Sequence, residues 1–182
     1  MADASRHYLD ATLHLLRSQK RLAEGAFAQL EPEDYHRLID PEANSVAVLI
    51  KHLVGNMRSR FRDFLTSDGE KPDRSRDAEF VDDVRSPNAL LHLWEEGWGV
   101  VFGAVEALGP DDLLRTVTIR GEPHTVVEAL QRQASHCAYH VGQIVLLARH
   151  FRGEAWTSLS IPRGESRAFL AAKRAEFAGE AG

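Results

Sequence analysis

Apolar residues recur at intervals of three and four along most of the chain, the spacing that places them on one face of an α-helix. Four long stretches show this pattern, over residues 3–30, about 44–65, 86–108 and 125–151. A shorter one covers about 164–178. Amphipathic helices of this number and length predict an all-α protein, a four-helix bundle with a shorter C-terminal helix.

Residues at the ends of these stretches support the predicted helices. Glu31–Pro32 should end the first helix and Gly153 the fourth, because proline lacks a backbone donor and glycine tolerates a helix stop. The starts carry capping signals, which are Asn44 or Ser45 for the second helix, Ser86–Pro87 for the third and the Thr125–Glu128 capping box for the fourth. Residues 116–120 alternate and predict a short extended piece ended by Gly121.

The connection over residues 66–85 is longer and more charged than a routine link between helices. Its charge favours a solvated loop. The alternative is that it covers the mouth of a site between helices, since loops often carry binding residues. The sequence leaves both interpretations open.

Length and composition indicate an ordinary globular protein of one domain, residues 1–182. A net charge of −5 argues against a nucleic-acid-binding surface. No apolar run reaches 18 residues, so we expect no transmembrane helix, and the first residues lack the apolar region of a signal peptide. A single cysteine, Cys137, excludes an internal disulfide. These features favour a cytoplasmic protein.

The fourth helix carries the candidate chemistry. His136 and His140 are four residues apart, so they share one helix face, together with Gln133 and Gln143. Two imidazoles at this spacing can bind one metal ion, although such pairs are more often exposed or hydrogen-bonded in a core. Cys137 lies about 100° around the helix from His136 and is interpreted as a small buried hydrophobe.

A third histidine, His52, lies on the flank of the apolar face of the second helix, with Asn56 one turn away. It is relevant to a metal site only if the bundle turns it toward the other two. The six remaining histidines are interpreted as surface, loop or helix-end residues; they are His7, His14, His36, His92, His124 and His150.

Three stretches resemble the DinB/YfiT-like metalloprotein superfamily. Residues 45–57 resemble its second helix with its histidine, residues 68–80 are similar to the charged segment of one uncharacterised branch, and residues 136–144 resemble its H-x-x-x-H-x-G-Q-I pattern. The resemblance implies a bundle that binds a divalent metal, commonly zinc or nickel, through His52, His136 and His140. It also implies a homodimer.

Relatives of this kind include transferases that use low-molecular-weight thiols, and others resemble hydrolases. Three imidazoles with an open fourth position are typical of catalytic zinc, which lowers the pKa of bound water or thiol. Asn56, Gln133 and Gln143 are candidates to orient an imidazole or hold bound water. No further catalytic residue stands out.

Three functions remain open. The first is a thiol-dependent S-transferase, whose partner is a small-molecule substrate. The second is a metal-dependent hydrolase, and the third a stress-associated bundle without catalysis.

Overall fold

The computed structural model of the chain describes residues 2–178. It contains six helices and one hairpin, which in chain order are α1 (Ala2–Phe27), α2 (Val46–Phe61), α3 (Arg76–Glu79), α4 (Pro87–Glu106), β1 (Thr116–Ile119), β2 (Glu122–Thr125), α5 (Val126–Arg152) and α6 (Ser166–Ala178). The four long helices α1, α2, α4 and α5 pack around one core. The predicted all-α bundle with a short C-terminal helix is confirmed.

Helix α2 packs mainly on α4, and α5 packs mainly on α1. Between these pairs lie Trp94 and Trp98, both fully buried, with ring centroids 5.5 Å apart in an edge-to-face arrangement. Phe27 adds a second edge-to-face contact, 5.2 Å from Trp94. The aromatic residues of the third predicted helix are therefore core residues. None of the described helices has both the length and the apolar character needed to cross a membrane.

The predicted caps form, but two helices end earlier than expected. Ser45 Oγ accepts the backbone N–H of Val48, and Thr125 and Glu128 form the reciprocal capping box. Helix α1 ends at Phe27 and α2 at Phe61, short of residues 30 and 65. After α2 the chain leaves helical geometry at Arg62, which has an extended ψ of 126°, and Asp63 then adopts a left-handed φ of 50°.

The extended piece predicted over 116–120 is strand β1, and it pairs antiparallel with β2, which the sequence did not predict. Arg120 and Gly121 form the two-residue turn between the strands, with φ values of 58° and 75°. Asp68 accepts the backbone N–H groups of both turn residues, at 2.8 and 2.7 Å. The hairpin therefore docks onto the charged segment 66–85, which also contains the one-turn helix α3.

Helix α6 differs from the prediction that its apolar residues pack. Phe169, Leu170 and Phe177 are 45%, 50% and 59% exposed, and no residue of the helix is buried. The chain turns at Gly164, with φ of 90°, just before this helix. Because the long helices fill the core with their own side chains, α6 covers none of it.

Gly97 on α4 generates a prediction about the α2–α4 contact. A Cβ atom there would lie 3.1 Å from Val54 Cγ2 and 3.3 Å from the Val54 Cα atom, closer than ordinary packing allows. We expect Gly97→Leu to lower the free energy of unfolding by about 1–3 kcal/mol through overpacking. Gly103→Leu, on the exposed face of the same helix, is the control and should leave stability unchanged or slightly higher. Equal urea midpoints for the two variants would contradict this contact.

Candidate metal centre

The structure brings His52 of α2 together with His136 and His140 of α5. One ring nitrogen of each lies within 4.8 Å of the other two, and the Nε2 atoms of His52 and His136 are 3.2 Å apart. Two imidazoles on one tetrahedral zinc ion, with bonds of about 2.0–2.1 Å, have nitrogens about 3.3 Å apart. The three predicted histidines can therefore hold one metal ion, whose identity this geometry does not fix.

His52 is oriented by a carboxylate from the charged segment. Its Nδ1–H donates to Glu79 Oε2 at 2.9 Å, which leaves Nε2 facing the other two imidazoles. Arg74 in turn donates to both Glu79 oxygens, at 2.8 and 2.9 Å. A carboxylate on the second nitrogen of a ligating imidazole fixes its tautomer and raises its basicity. The sequence analysis did not identify Glu79. The only feature of the sequence that pointed to it was the high charge of the segment 66–85.

The three predicted supporting residues occupy different positions. Gln143 Oε1 accepts the Nδ1–H of His140 at 2.8 Å, which turns His140 Nε2 toward the group. Gln133 is buried and donates instead to Cys137 Sγ at 3.3 Å. Asn56 is buried with an unpartnered Oδ1. Of the three predicted supporting residues, Gln143 is the one with a hydrogen bond to a candidate metal-binding histidine among the described residues.

Burial keeps His136 and His140 neutral. It lowers the pKa of His136 to about 3, and repulsion from His140, His52 and nearby arginines adds to the effect. Burial also lowers the pKa of His140, although the bond to Gln143 opposes it. Neutral imidazole is the form that binds metals. For Glu79, burial acts to raise the pKa, but hydrogen bonds from His52 and Arg74 outweigh it and the pKa is lowered, so the carboxylate is ionised.

The three histidines line a pocket of about 400 Å³. Arg74, Arg76 and Phe80 of the charged segment line the same pocket, and the Phe80 ring lies 4.8 Å from that of His52. This placement agrees with the interpretation that residues 66–85 cover a site between helices. A pocket of this size suits a small molecule.

The remaining histidines lie outside the group in the part of the chain described. His7, His14, His92 and His150 are exposed, as expected. His36 and His124 are half-buried instead. His36 Nδ1 lies 2.9 Å from Asp82 Oδ1, a contact that the sequence analysis did not predict. Cys137 is fully buried, and burial raises the pKa of its thiol to about 12, in agreement with its interpretation as a small hydrophobe.

The Glu79–His52 contact predicts a loss of metal affinity in Glu79→Gln. The amide keeps the shape of the side chain but removes the charge that makes His52 a better ligand, so affinity for zinc should fall about 10- to 100-fold. Asp77→Asn, which alters an exposed acidic residue of the same helix α3, is the control. Competition with a chromogenic chelator measures both, and equal affinities would exclude this role for Glu79.

The low pKa of His136 predicts the acid sensitivity of the metal-free protein. Between its ordinary value of about 6.5 and its folded value of about 3, the unfolded state binds the proton and the folded state does not. The free energy of unfolding should therefore fall as pH drops below 6.5.

Urea titrations at pH 7.5 and 5.5 should show a smaller loss in His136→Gln than in the wild type. His7→Gln, at an exposed position, should lose as much as the wild type. Equal losses in all three proteins would show that His136 does not control this response.

Comparison with known proteins places the chain in a family. The comparison with curated proteins gives no match. The protein-family comparison matches residues 3–165 to the family described as "Protein of unknown function (DUF1572)". The matched region contains nearly all of the four long helices, the hairpin and the three histidines of the site. The chain therefore belongs to the DUF1572 family.

Proposed function

We propose that the protein is a metal-dependent enzyme related to the DinB/YfiT-like superfamily, and that it acts as a thiol-dependent S-transferase. His52, His136 and His140 would hold one divalent metal, zinc or nickel. The observation that carries this proposal is that three imidazole nitrogens converge on the wall of a 400 Å³ pocket. Three protein ligands beside open space suit a catalytic metal, whereas structural zinc has four protein ligands.

The residues present fit such an ion. His136 and His140 have lowered pKa values, and His52 and His140 have Nδ1 bound to Glu79 and Gln143. These hydrogen bonds leave the Nε2 atoms of His52 and His140 free to bind the ion in the orientation that they already have. A divalent metal held by three imidazoles lowers the pKa of a bound thiol or water toward neutrality.

The pocket favours activation of a thiol over activation of water. Among the described residues that line it there is no carboxylate to act as a general base. A free thiol has a pKa of about 8.5 and ionises far more readily than water, so it needs less help from a base. Arginines also line the pocket, among them Arg74 and Arg76 beside His52, and positive charge near a thiol stabilises the sulfur anion.

Phe80 and Arg76 give the site its cover. The Phe80 ring packs against His52, and the Arg76 guanidinium lies over the Phe80 ring, 5.0 Å from its centroid. Both residues shield the imidazole from bulk water.

The homodimer is also a proposal. Tyr139 and Leu146 lie on one face of α5, are 65% and 63% exposed, and offer apolar surface for a dimer contact.

Metal analysis followed by a thiol-conjugation assay tests the function. Purified protein should hold about one divalent ion per chain, and His140→Ala should lose most of it, because two imidazoles bind a metal poorly. His92→Ala, at an exposed position outside the site, is the matched control and should keep the metal. Conjugation of a low-molecular-weight thiol to an alkyl electrophile should stop with chelator and return with zinc or nickel.

Two results would contradict the proposal. Wild-type protein without bound metal after exposure to zinc and nickel would remove its basis. Metal-dependent ester or amide cleavage that needs no thiol would identify a hydrolase with the same three ligands.

A further inference from the structure

The pocket beside the three histidines is rich in arginine. Five arginines line it: Arg60, Arg74, Arg76, Arg120 and Arg132. They come from α2, the charged segment, the hairpin turn and α5, so the fold gathers them from four separate parts of the chain. Because the whole protein carries a net charge of −5, this positive charge is a local feature and not a property of the surface in general.

Two carboxylates neutralise only part of this charge. Arg74 donates to Glu79 and, at 3.0 Å, to Glu70. Arg120 Nε donates to the same Glu70 oxygen at 3.2 Å. Glu70 and Glu79 are thus the carboxylates that accept from these guanidinium groups, and Asp68 lies at the backbone of Arg120, so five positive charges still outnumber the carboxylates beside them.

Arg60 combines burial with an incomplete set of hydrogen bonds in the described part of the chain. The residue is 8% exposed, and its buried Nη1 has no hydrogen-bond partner among the described residues. Burial lowers the pKa of Arg60 to about 10; Glu70 opposes the effect, and Arg132 is the first of three arginines that add to it. The group still carries its proton at neutral pH. A buried cation without a paired anion is costly, so an anion from outside the chain would complete this site.

The arginines and histidines lie in register on two helices. His52, Asn56 and Arg60 follow one another at steps of four along α2, as do Arg132, His136 and His140 along α5. His52 meets His136, and Arg60 lies near Arg132, so the two helices run antiparallel here. One helical turn, about 5.4 Å along the axis, separates Arg132 from His136. Arg60 and Arg132 therefore lie toward one end of the pocket, with Arg132 about one helical turn from His136 and Arg60 about two turns from His52.

We propose that this pocket binds a small molecule that carries a carboxylate or phosphate group, and that Arg60 and Arg132 hold this oxyanion. Guanidinium groups suit both oxyanions, since their paired N–H donors match two acceptor oxygens. The reacting group of the molecule would lie about one helical turn away, at the histidines. This last point rests on the proposed metal-dependent function, whereas binding of the oxyanion does not.

Calorimetry on metal-free protein tests the binding. Inorganic phosphate and succinate are the probes, each titrated at constant ionic strength. We expect at least one to bind, and Arg132→Gln to weaken it about tenfold or more, the loss of a charge-assisted hydrogen bond. Arg149→Gln, also an exposed arginine of α5 but outside the pocket lining, is the matched control and should bind as the wild type does. The preferred probe identifies the group as phosphate or carboxylate.

Arg60→Met separates a ligand-binding role from a structural one. If Arg60 serves to bind an anion and does not stabilise the fold, its replacement by an apolar side chain should leave the metal-free protein as stable as the wild type or more stable. The better probe should raise the melting temperature of the wild type and of Arg149→Gln but not that of Arg60→Met. A less stable Arg60→Met protein that still binds the probe would show that Arg60 is structural and would overturn the proposal.

Other outcomes also decide the matter. Failure of both probes to bind, or equal binding by Arg132→Gln and the wild type, would overturn it. Tighter binding of a single-stranded oligonucleotide with the same arginine dependence would replace the small molecule by a nucleic acid. The protein is metal-free in these titrations, so the two proposals fail separately. A protein that binds no metal but binds the probe would lose the proposed enzyme function and keep the oxyanion site. A protein that binds metal but neither probe would keep the proposed function and lose the oxyanion site.

Discussion

The contact between His52 and His136 joins two helices whose main packing partners lie elsewhere. Helix α2 is held mainly by α4, and α5 mainly by α1, so both helices are positioned by packing contacts away from the imidazoles. The site occupies the seam between these two helix pairs, where packing leaves room for a pocket. We therefore expect core packing to bring the three histidines together.

Burial acts on the two kinds of basic side chain in this seam with different results. An imidazole can respond to the loss of solvent by remaining neutral, and His136 does so. A guanidinium cannot, because even the lowered pKa of Arg60 lies well above neutral pH. The same low-polarity environment thus yields neutral metal ligands beside permanent positive charge. The neighbouring Arg60 and Arg74 in turn favour the neutral form of His136.

The sequence was informative where function follows local spacing. The helices, the Thr125–Glu128 capping box and the facing of His136 and His140 all depend on residues within one or two turns. His52 needed the family resemblance, because its position on the flank of an apolar face admits several packings. Glu79 could not be identified, since it lies 27 residues from His52 and within the charged segment 66–85, which shows no periodicity. The arginine cluster was missed for the same reason: its members meet only in the folded chain.

Arg120 shows how the rim of the pocket is built. It takes a turn position where glycine or asparagine is more usual, and an L-residue in this left-handed conformation costs about 1–2 kcal/mol. Asp68 holds the turn through two backbone N–H groups, and these bonds keep the pKa of Asp68 well below its usual range despite the opposing effect of desolvation. These hydrogen bonds consequently join the hairpin to the first part of the charged segment. Because Arg76 is exposed and the hairpin turn is bonded to Asp68, we expect a ligand to enter by rotation of the Arg76 side chain and not by displacement of the hairpin.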